Sequence, residues 1–367
     1  MKKICFIAQF PPPMHGLSKA VDTLYNSEIN ADISEYGSFE FEKVDIKDNK
    51  KFLSNLKLIS KSHADLFYFT ISQTKGGNIR DLIILRLLAR QNKRCLIHLH
   101  GGYYRRLVDN DMPGWQKKAN YKTIKKVDGV IVLSESLRFI FQGMLPEEKI
   151  YVVNNCVDDE FLLSESEVEE KLQSLKEKEI LHILYLSNFI RSKGYPEALE
   201  LAKLEKERVD SGGRKRFHFE FAGKFFEESE RRFFESFIEE NGIQDFVTYH
   251  GIVGGEEKRK LLKNSDIFIL PTRYPNEGQP ISILEAYGNA MMVVTTDHAG
   301  IPDIVEDGVN GIVVQDKQSV ESVYDLLINV DSNSLRAIGR RNRKKCVNFY
   351  VQERYIAALK NIFEIVS

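Results

Sequence analysis

Short runs of β-branched and aromatic residues alternate along this chain with segments whose apolar positions recur at helical spacing. Such alternation is typical of parallel sheets whose faces are covered by helices. Amphipathic stretches such as Arg80–Gln91 and Trp115–Lys126 predict helices, as does the tail Ser334–Val366. Two series of six strands are predicted: Lys3–Ala8, Phe41–Ile46, Leu66–Ser72, Cys95–Leu99, Gly129–Leu133 and Ile150–Val153, and then Leu181–Leu186, Phe217–Ala222, Phe246–Tyr249, Ile267–Leu270, Met292–Thr295 and Gly311–Val314.

A charged stretch with few apolar residues, from Ser164 to Lys178, interrupts this alternation. At 367 residues the chain is also too long for one ordinary hydrophobic core. We therefore predict an α/β fold of two Rossmann-like doubly wound domains with C-terminal helices. The predicted bounds are 1–165 for the N-terminal domain, 166–178 for a linker, 179–345 for the C-terminal domain, and 346–367 for a last helix that packs back on the N-terminal domain.

The composition indicates a cytoplasmic protein. The start, MKKICFIAQFPPPMH, has too short an apolar run for a secretion signal, and no segment approaches the roughly 20 apolar residues of a membrane span. The four cysteines are scattered, without a Cys-x-x-Cys pair. We therefore expect reduced, mostly buried thiols, and neither a disulfide framework nor a zinc site.

The net charge of −1 conceals an asymmetry. Residues 51–126 hold sixteen Lys and Arg against four Asp and Glu, a net of +12, so the remainder carries −13. This predicts an anionic partner for the first domain. No nucleic-acid-binding signature accompanies the charge, so anionic membrane headgroups or a phosphorylated substrate fit better than nucleic acid. The alternative is that these cations only solvate helix faces.

Ligands of doubly wound sheets bind beyond the carboxyl ends of the strands, and several loops there carry candidate chemistry. A proline-rich loop after the first strand ends at Gly16, where backbone can approach a ligand closely. After the fourth strand, His98 and His100 share one face by strand periodicity. In the second domain, Arg191 and Lys193 stand beside a predicted helix start, which suits a diphosphate, although solvated surface charges are the alternative.

The segment EGQPISILE places Glu277 and Glu285 eight positions apart around Pro280. Pro280 suits the first position of a helix, so Glu277 falls in a loop and Glu285 inside the helix, and both can face one small ligand. Helix N–H groups favour an anion there, and carboxylates accept hydrogen bonds from sugar hydroxyls. The alternative is a surface loop followed by an ordinary helical glutamate.

With these loops assembled, the chain resembles the family-4 retaining glycosyltransferases of the GT-B fold, in which two Rossmann-like domains face each other across a cleft. The best-matching stretch runs from Asp266 to Val314 and includes the Glu-x7-Glu motif, the Gly-Ile-Pro turn at 300–302 and the Asn-Gly turn at 310–311. Weaker matches lie at 153–158, at 187–194, in the proline-rich loop and at His100 with Gly101. The match is loose between residues 25 and 90, where the acceptor is expected.

The resemblance implies roles for individual residues. Glu277 and His100 would contact the transferred sugar, Glu285 would bind the ribose, and Lys193 would bind the diphosphate. The family's arginine is replaced by Asn188, and Arg191 is a possible substitute for it. The other implied donor-binding residues are Gly16, Gly278, Gln279, Pro280 and Ile281, and Gly251 and Ile252 are assigned to the base pocket.

No metal and no cofactor are expected. Asp109-Asn110-Asp111 matches an Asp-x-Asp metal motif of another glycosyltransferase fold, but three-residue motifs arise by chance. His98 and His100 lack a third ligand at characteristic spacing.

The activity implied by the resemblance is transfer of a sugar, with retained anomeric configuration, from a UDP-sugar to a glycan or polyprenyl-diphosphate-linked acceptor in surface polysaccharide synthesis. Peripheral contact with an anionic membrane is expected for the first domain. Two alternatives stay open: a nucleotide-sugar epimerase on the same fold, and a non-catalytic nucleotide-sugar-binding protein.

Overall fold

The computed structural model describes residues 1–12, 16–316 and 318–367. These residues form two compact units: Met1–Asn155 together with Gln352–Ser367, and Cys156–Val351. Each unit contains a six-stranded, wholly parallel sheet with helices between the strands. The predicted pair of Rossmann-like α/β units with C-terminal helices is therefore confirmed.

The sheet of the first unit has the strand order β2-β1-β3-β4-β5-β6. Its strands are β1 (Lys2–Ala8), β2 (Phe39–Asp45), β3 (Leu66–Thr70), β4 (Cys95–His98), β5 (Gly129–Val132) and β6 (Ile150–Val152). Its helices are α1 (Gly16–Tyr25), α2 (Phe52–Lys61), α3 (Lys75–Arg90), α4 (Tyr104–Arg106) and α5 (Gly114–Ile124). The strands β3, β4 and β5 are buried along their whole length because helices cover both faces of the sheet.

The second unit has the strand order β12-β11-β10-β7-β8-β9. Its strands are β7 (Leu181–Leu186), β8 (Phe217–Ala222), β9 (Val247–Tyr249), β10 (Ile267–Leu270), β11 (Met292–Thr296) and β12 (Gly311–Val314). Its helices are α6 (Glu165–Ser174), α7 (Tyr195–Asp210), α8 (Glu228–Glu240), α9 (Gly255–Asn264), α10 (Ile281–Gly288), α11 (Val320–Ile328) and α12 (Ser332–Phe349).

The last helix, α13 (Gln352–Val366), lies in the first unit. The ring of Phe363 packs edge-on against Phe6, Phe39 and Tyr68 of that unit, at centroid distances of 6.4, 5.8 and 5.8 Å. Edge-on aromatic packing adds to the free energy gained from apolar burial. The chain therefore passes from the first unit to the second at Asn155 and returns after Val351.

The linker predicted over 166–178 differs from the structure. Most of that range is α6, which packs in the core of the second unit through the buried side chains of Val168 and Leu172. A capping box between Ser164 and Glu167 starts the helix. The many charges of this segment hid a helix that needs only one narrow apolar stripe.

All four cysteines are free thiols, and Cys5, Cys95 and Cys346 are buried. Among the described residues, no helix is long and apolar enough to span a bilayer.

Candidate functional site

The strand order of the second unit brings the loops that carry its candidate residues next to each other. The chain builds β7, β8 and β9 toward one edge of the sheet and β10, β11 and β12 toward the other, so the order reverses between the neighbouring strands β7 and β10. Crevices outside the carboxyl ends of strands at such a reversal are the usual ligand sites of open α/β sheets. The loop after β7 carries Arg191 and Lys193, and the loop after β10 carries Glu277.

A glycine lets these two loops meet. Gly194 has a left-handed backbone with φ of +86°, and a Cβ built on it would lie 2.5 Å from Cγ of Pro271. A side chain at this position would therefore clash with the loop after β10. The loops are also joined by the N–H of Arg273, which donates to the carbonyl of Ser192 at 2.7 Å.

Glu277 is a buried carboxylate at this junction. Its Oε2 lies 3.1 Å from Nζ of Lys193 and accepts a hydrogen bond from the hydroxyl of Thr272 at 3.3 Å. The ammonium of Lys193 also lies 5.0 Å from the ring centroid of Tyr274. The structure thus brings together two of the predicted residues, one anionic and one cationic, beside the strand-order reversal.

Glu285 lies one turn inside α10 and is buried. Burial raises the pKa of this carboxyl above its ordinary value, while the neighbouring ammonium of Lys258 opposes the rise. Nζ of Lys258 lies 2.6 Å from Oε1 of Glu285 and 4.1 Å from the ring centroid of Phe161. The helix itself begins at Ile281, one residue later than predicted, because Pro280 is its N-cap with extended backbone.

The backbone between the two glutamates is held by a hydrogen bond from another loop. The carbonyl of Gly278 accepts a hydrogen bond from the N–H of Gly300 at 2.8 Å, which ties the motif to the loop after β11. Gln279 is buried, and Ile281 opens α10. The first N–H groups of a helix have no intrahelical acceptor, so the start of α10, in the loop region after β10, offers donors that suit an anion.

Arg191 and Asn188 do not share the environment of Lys193. The guanidinium of Arg191 stacks over the ring of Phe233 at 4.1 Å, and its Nε lies 3.6 Å from Oε2 of Glu230 on α8. Asn188 is exposed, and its backbone carbonyl accepts a hydrogen bond from the hydroxyl of Tyr185 at 3.1 Å. The role predicted for Arg191 as a second phosphate-binding cation therefore requires its side chain to leave Glu230, and it stays a prediction.

The residues assigned to the base pocket form an open turn after β9. Gly251 has a left-handed backbone with φ of +72° and accepts a hydrogen bond from the N–H of Gly223 at 2.7 Å. Ile252 is 71% exposed, which is unusual for an isoleucine and leaves an apolar surface available to a planar ring. This turn follows β9, the neighbour of β8, and lies at the same end of the sheet as Lys193.

In the first unit, Gly16 is the first residue of α1, and a Cβ built on it would meet no atom within 4 Å. Pro13, Met14 and His15 of the proline-rich loop lie outside the described residues. His100 follows β4, and its ring packs against that of His98 at a centroid distance of 3.9 Å, with the two planes tilted by 33°. Burial lowers the pKa of His98, and His100 lowers it further.

The residues of the alternative metal motif are engaged in the fold of the first unit. Asp109 pairs with Arg105 at 2.6 Å and with Lys117 at 3.0 Å, and Asp111 accepts a hydrogen bond from the hydroxyl of Tyr103. No group of three or more His, Cys, Asp or Glu side chains in the described part of the chain is arranged to hold a metal ion.

Sequence reasoning missed Thr272, Tyr274 and Lys258, which surround the two glutamates. Thr272 and Tyr274 follow β10 directly, so their position at the carboxyl end of a strand could have identified them. Lys258 lies in the charged segment GEEKRKLLKN, where nothing in a single sequence distinguishes it from the neighbouring cations.

Two family models match the chain. Residues 52–161 match the family described as Glycosyltransferase Family 4, and residues 166–345 match the family described as Glycosyl transferases group 1. The matched stretches include Glu277, Glu285 and Lys193 in the second unit and His100 in the first.

Individual proteins show the same likeness. An uncharacterized glycosyltransferase of Methanocaldococcus jannaschii is 25% identical over 75% of this chain and 69% of its own length. The amylovoran biosynthesis glycosyltransferase AmsK of Erwinia amylovora is 25% identical over 46% of this chain and 42% of its own. The crystal structure of Anabaena HepE in complex with UDP superposes with a TM-score of 0.74 over 99% of this chain and 100% of that one, at 15% identity. The chain spans 35 to 69% of the length of the first four curated relatives that it matches.

Proposed function

We propose that this chain, which resembles the family-4 glycosyltransferases of the GT-B fold in both of its units, moves a sugar from a nucleotide diphosphate donor to an acceptor hydroxyl with retention of anomeric configuration. The observation that carries the proposal is the pair of buried glutamates, each held by its own lysine, beside the strand-order reversal of the second unit. UDP is the proposed nucleotide, supported by the fold of a protein solved with UDP.

In the proposed complex, Glu285 accepts hydrogen bonds from the ribose hydroxyls through the carboxylate oxygen that Lys258 leaves available. Lys193 and the first N–H groups of α10 neutralise the diphosphate. Gly251 and Ile252 receive the base. The roles that the resemblance implies for Gly16 at the phosphates and for His100 at the sugar stay predictions.

Glu277 is proposed to position the sugar rather than to attack it. The bond between the anomeric carbon and the phosphate oxygen breaks while the acceptor oxygen bonds to the same face of that carbon, and the acceptor's proton passes to the departing phosphate oxygen. Lys193 and the helix donors stabilise the negative charge that develops on the departing phosphate. A cation fixed before the reaction can do this without a metal ion, so none is proposed.

The proposed acceptor is a glycan or a lipid-linked glycan intermediate in polysaccharide synthesis. Support comes from the AmsK relative, whose name refers to amylovoran biosynthesis, and from the excess of cations in the first unit.

Incubation with a panel of UDP-sugars, followed by NMR, tests the proposal against its two alternatives. Slow release of a free sugar with retained configuration, accelerated when acceptor hydroxyls are supplied, is the expected result. An isomerised nucleotide sugar would identify an epimerase instead. Calorimetric binding of UDP without any turnover would identify a non-catalytic binding protein, and absence of UDP binding would reject the donor assignment.

A further inference from the structure

Three helices of the first unit form one continuous surface. Right-handed crossovers put α2, α3 and α5 on the same face of the sheet, because the connections β2 to β3, β3 to β4 and β4 to β5 all advance in one direction across it. The connection through α1 runs the opposite way. In agreement with this, α2 contacts α3 and α3 contacts α5.

Polar contacts lock these helices together. The side-chain amides of Asn78 on α3 and Asn120 on α5 exchange hydrogen bonds of 2.8 and 2.9 Å while fully buried. Nζ of Lys93 donates to the carbonyls of Ile59, Ser60 and Ser62 at the end of α2, at 2.7 to 2.9 Å. The surface is therefore a fixed platform rather than three independent helices.

The outer side of this platform, here named the basic helical face, is cationic without counter-charges. Its exposed cations are Lys57 and Lys61 on α2, Lys75, Arg86 and Arg90 on α3, and Lys118 and Lys122 on α5, with Lys51, Lys125 and Lys126 at the helix ends. Among the described residues, none of these side chains makes an ion pair. The three helices contain a single acidic residue, Asp81, which is buried and paired with Arg80 at 2.8 Å.

Exposed apolar side chains are interleaved with these cations. On α3, Ile79 and Ile83 precede Arg86 and Arg90 on one stripe at helical spacing, and both isoleucines are more than 40% exposed. On α5, Trp115 is 60% exposed and begins the stripe that continues through Lys118 and Lys122. On α2, Leu53 is 79% exposed at the same spacing from Lys57 and Lys61.

We propose that the basic helical face docks the first unit on an anionic lipid surface. A lipid surface presents negative headgroups above hydrocarbon, so it satisfies the cations and also buries Leu53, Ile83 and Trp115. A soluble phosphorylated glycan would satisfy the cations only. Tryptophan is enriched at membrane interfaces because its ring is apolar and its indole N–H is polar. The inference does not depend on the sugar-transfer proposal, since docking is measured without donor or acceptor.

The fluorescence of Trp115 gives a direct test, because it is the only tryptophan of the chain. Vesicles of phosphatidylcholine with phosphatidylglycerol should shift its emission to shorter wavelength, and brominated lipid in those vesicles should quench it. Vesicles of phosphatidylcholine alone should do neither, and added salt should reverse the shift. This measurement uses the unaltered protein, so it decides the proposal even if a variant fails to fold.

Cosedimentation with the same vesicles tests the cations. Changing Arg86, Arg90, Lys118 and Lys122 to Gln should lower the partition coefficient onto anionic vesicles by about a hundredfold or more, because each cation near an anionic surface contributes roughly fivefold. The matched control changes two arginines and two lysines of the second unit, Arg214, Arg232, Lys176 and Lys344, to Gln, and it should sediment as the parent does. All four control side chains are exposed.

Equal sedimentation of the two quadruple variants would overturn the proposal. An emission wavelength of Trp115 that does not change when anionic vesicles are added at low salt would overturn it as well. If heparin binds the parent through the same four residues while vesicles do not, the face serves a soluble polyanion and the membrane proposal is wrong.

Discussion

In the second unit, Lys193 and Lys258 are largely buried, and each lies within 3.1 Å of a carboxylate. On the basic helical face of the first unit, the cations are exposed, and the one acidic residue of α2, α3 and α5, Asp81, is buried and paired with Arg80. Burying an ion pair costs desolvation that its mutual attraction only partly repays. A buried pair is therefore weak evidence for stability, whereas a buried carboxyl whose pKa is raised, such as that of Glu285, is typical of functional sites.

The comparison separates two kinds of charge. A buried pair has a fixed geometry, so it can discriminate one ligand group from another and hold a carboxylate ionised. Exposed cations on a helical surface have little geometric precision, but they act together on any large anionic partner. Changing one member of a buried pair should accordingly have a large and specific effect, and changing one exposed cation should have a small one.

Replacement of Glu277 by Gln should give the largest effect. Loss of the carboxylate that faces the proposed sugar should lower the rate of transfer by about a hundredfold or more, a typical cost for one preorganised polar group. Calorimetry should show UDP bound nearly as in the parent, because Lys193 and Glu285 remain. Glu169→Gln is the matched control, since Glu169 also pairs with a cation but is exposed. Parental activity in Glu277→Gln would contradict the assigned role.

Glu285→Ala should weaken the binding of UDP, measured by calorimetry, by about 1–3 kcal/mol through the loss of charged hydrogen bonds.

Lys258→Met should weaken the binding of UDP in a pH-dependent manner. Burial already raises the pKa of Glu285, and removal of Lys258 removes the charge that opposes the rise. The other ionisable groups near Glu285 are Asp158, Glu160 and Cys346.

The sign of this pH effect follows from the chemistry of a carboxyl group. An ionised Glu285 accepts hydrogen bonds from the ribose more strongly than a neutral carboxyl group does, so affinity falls as pH falls through its folded pKa. In Lys258→Met that fall should begin at a higher pH than in the parent. Calorimetric titration of both proteins with UDP from neutral to acidic pH measures the difference, and coincident profiles would show that Lys258 does not act through Glu285.

Lys193→Ala should cost more transfer activity than Arg191→Ala, although both residues lie in one turn. Lys193 contacts Glu277, whereas Arg191 is more than half exposed and contacts Glu230 and Phe233. The losses of activity should be additive in a double-mutant cycle if the side chain of Arg191 keeps its contacts with Glu230 and Phe233 of α8. A clear deviation from additivity would mean that Arg191 reaches the same phosphates and replaces the arginine absent at Asn188.

The smallest expected effect is that of EDTA. If lysine and helix donors carry the charge of the leaving group, an excess of chelator should leave the rate of transfer largely unchanged. Complete inhibition that Mg²⁺ or Mn²⁺ reverses would show that a metal ion does this work.

Hydrophobic periodicity is a local property of the chain. The sequence by itself therefore determined the features that depend on local patterns, namely the strand positions and the contiguous motif. All twelve strands lie within a few residues of their predicted positions, and the resemblance to family-4 glycosyltransferases rested on the contiguous motif that holds Glu277 and Glu285. The two family models confirm that resemblance. Errors arose where local signals were weak, as in α6, whose charges concealed a single apolar stripe.

Only the tertiary structure decided which charges meet. Lys258 pairs with Glu285 because α9 and α10 pack on one sheet, and no local pattern separates this lysine from Arg259 or Lys260. The sequence likewise showed an excess of cations over residues 51–126, but the right-handed crossovers of the sheet decided that those of α2, α3 and α5 share one face. Contacts between distant segments depend on strand order and packing, and a single sequence records neither directly.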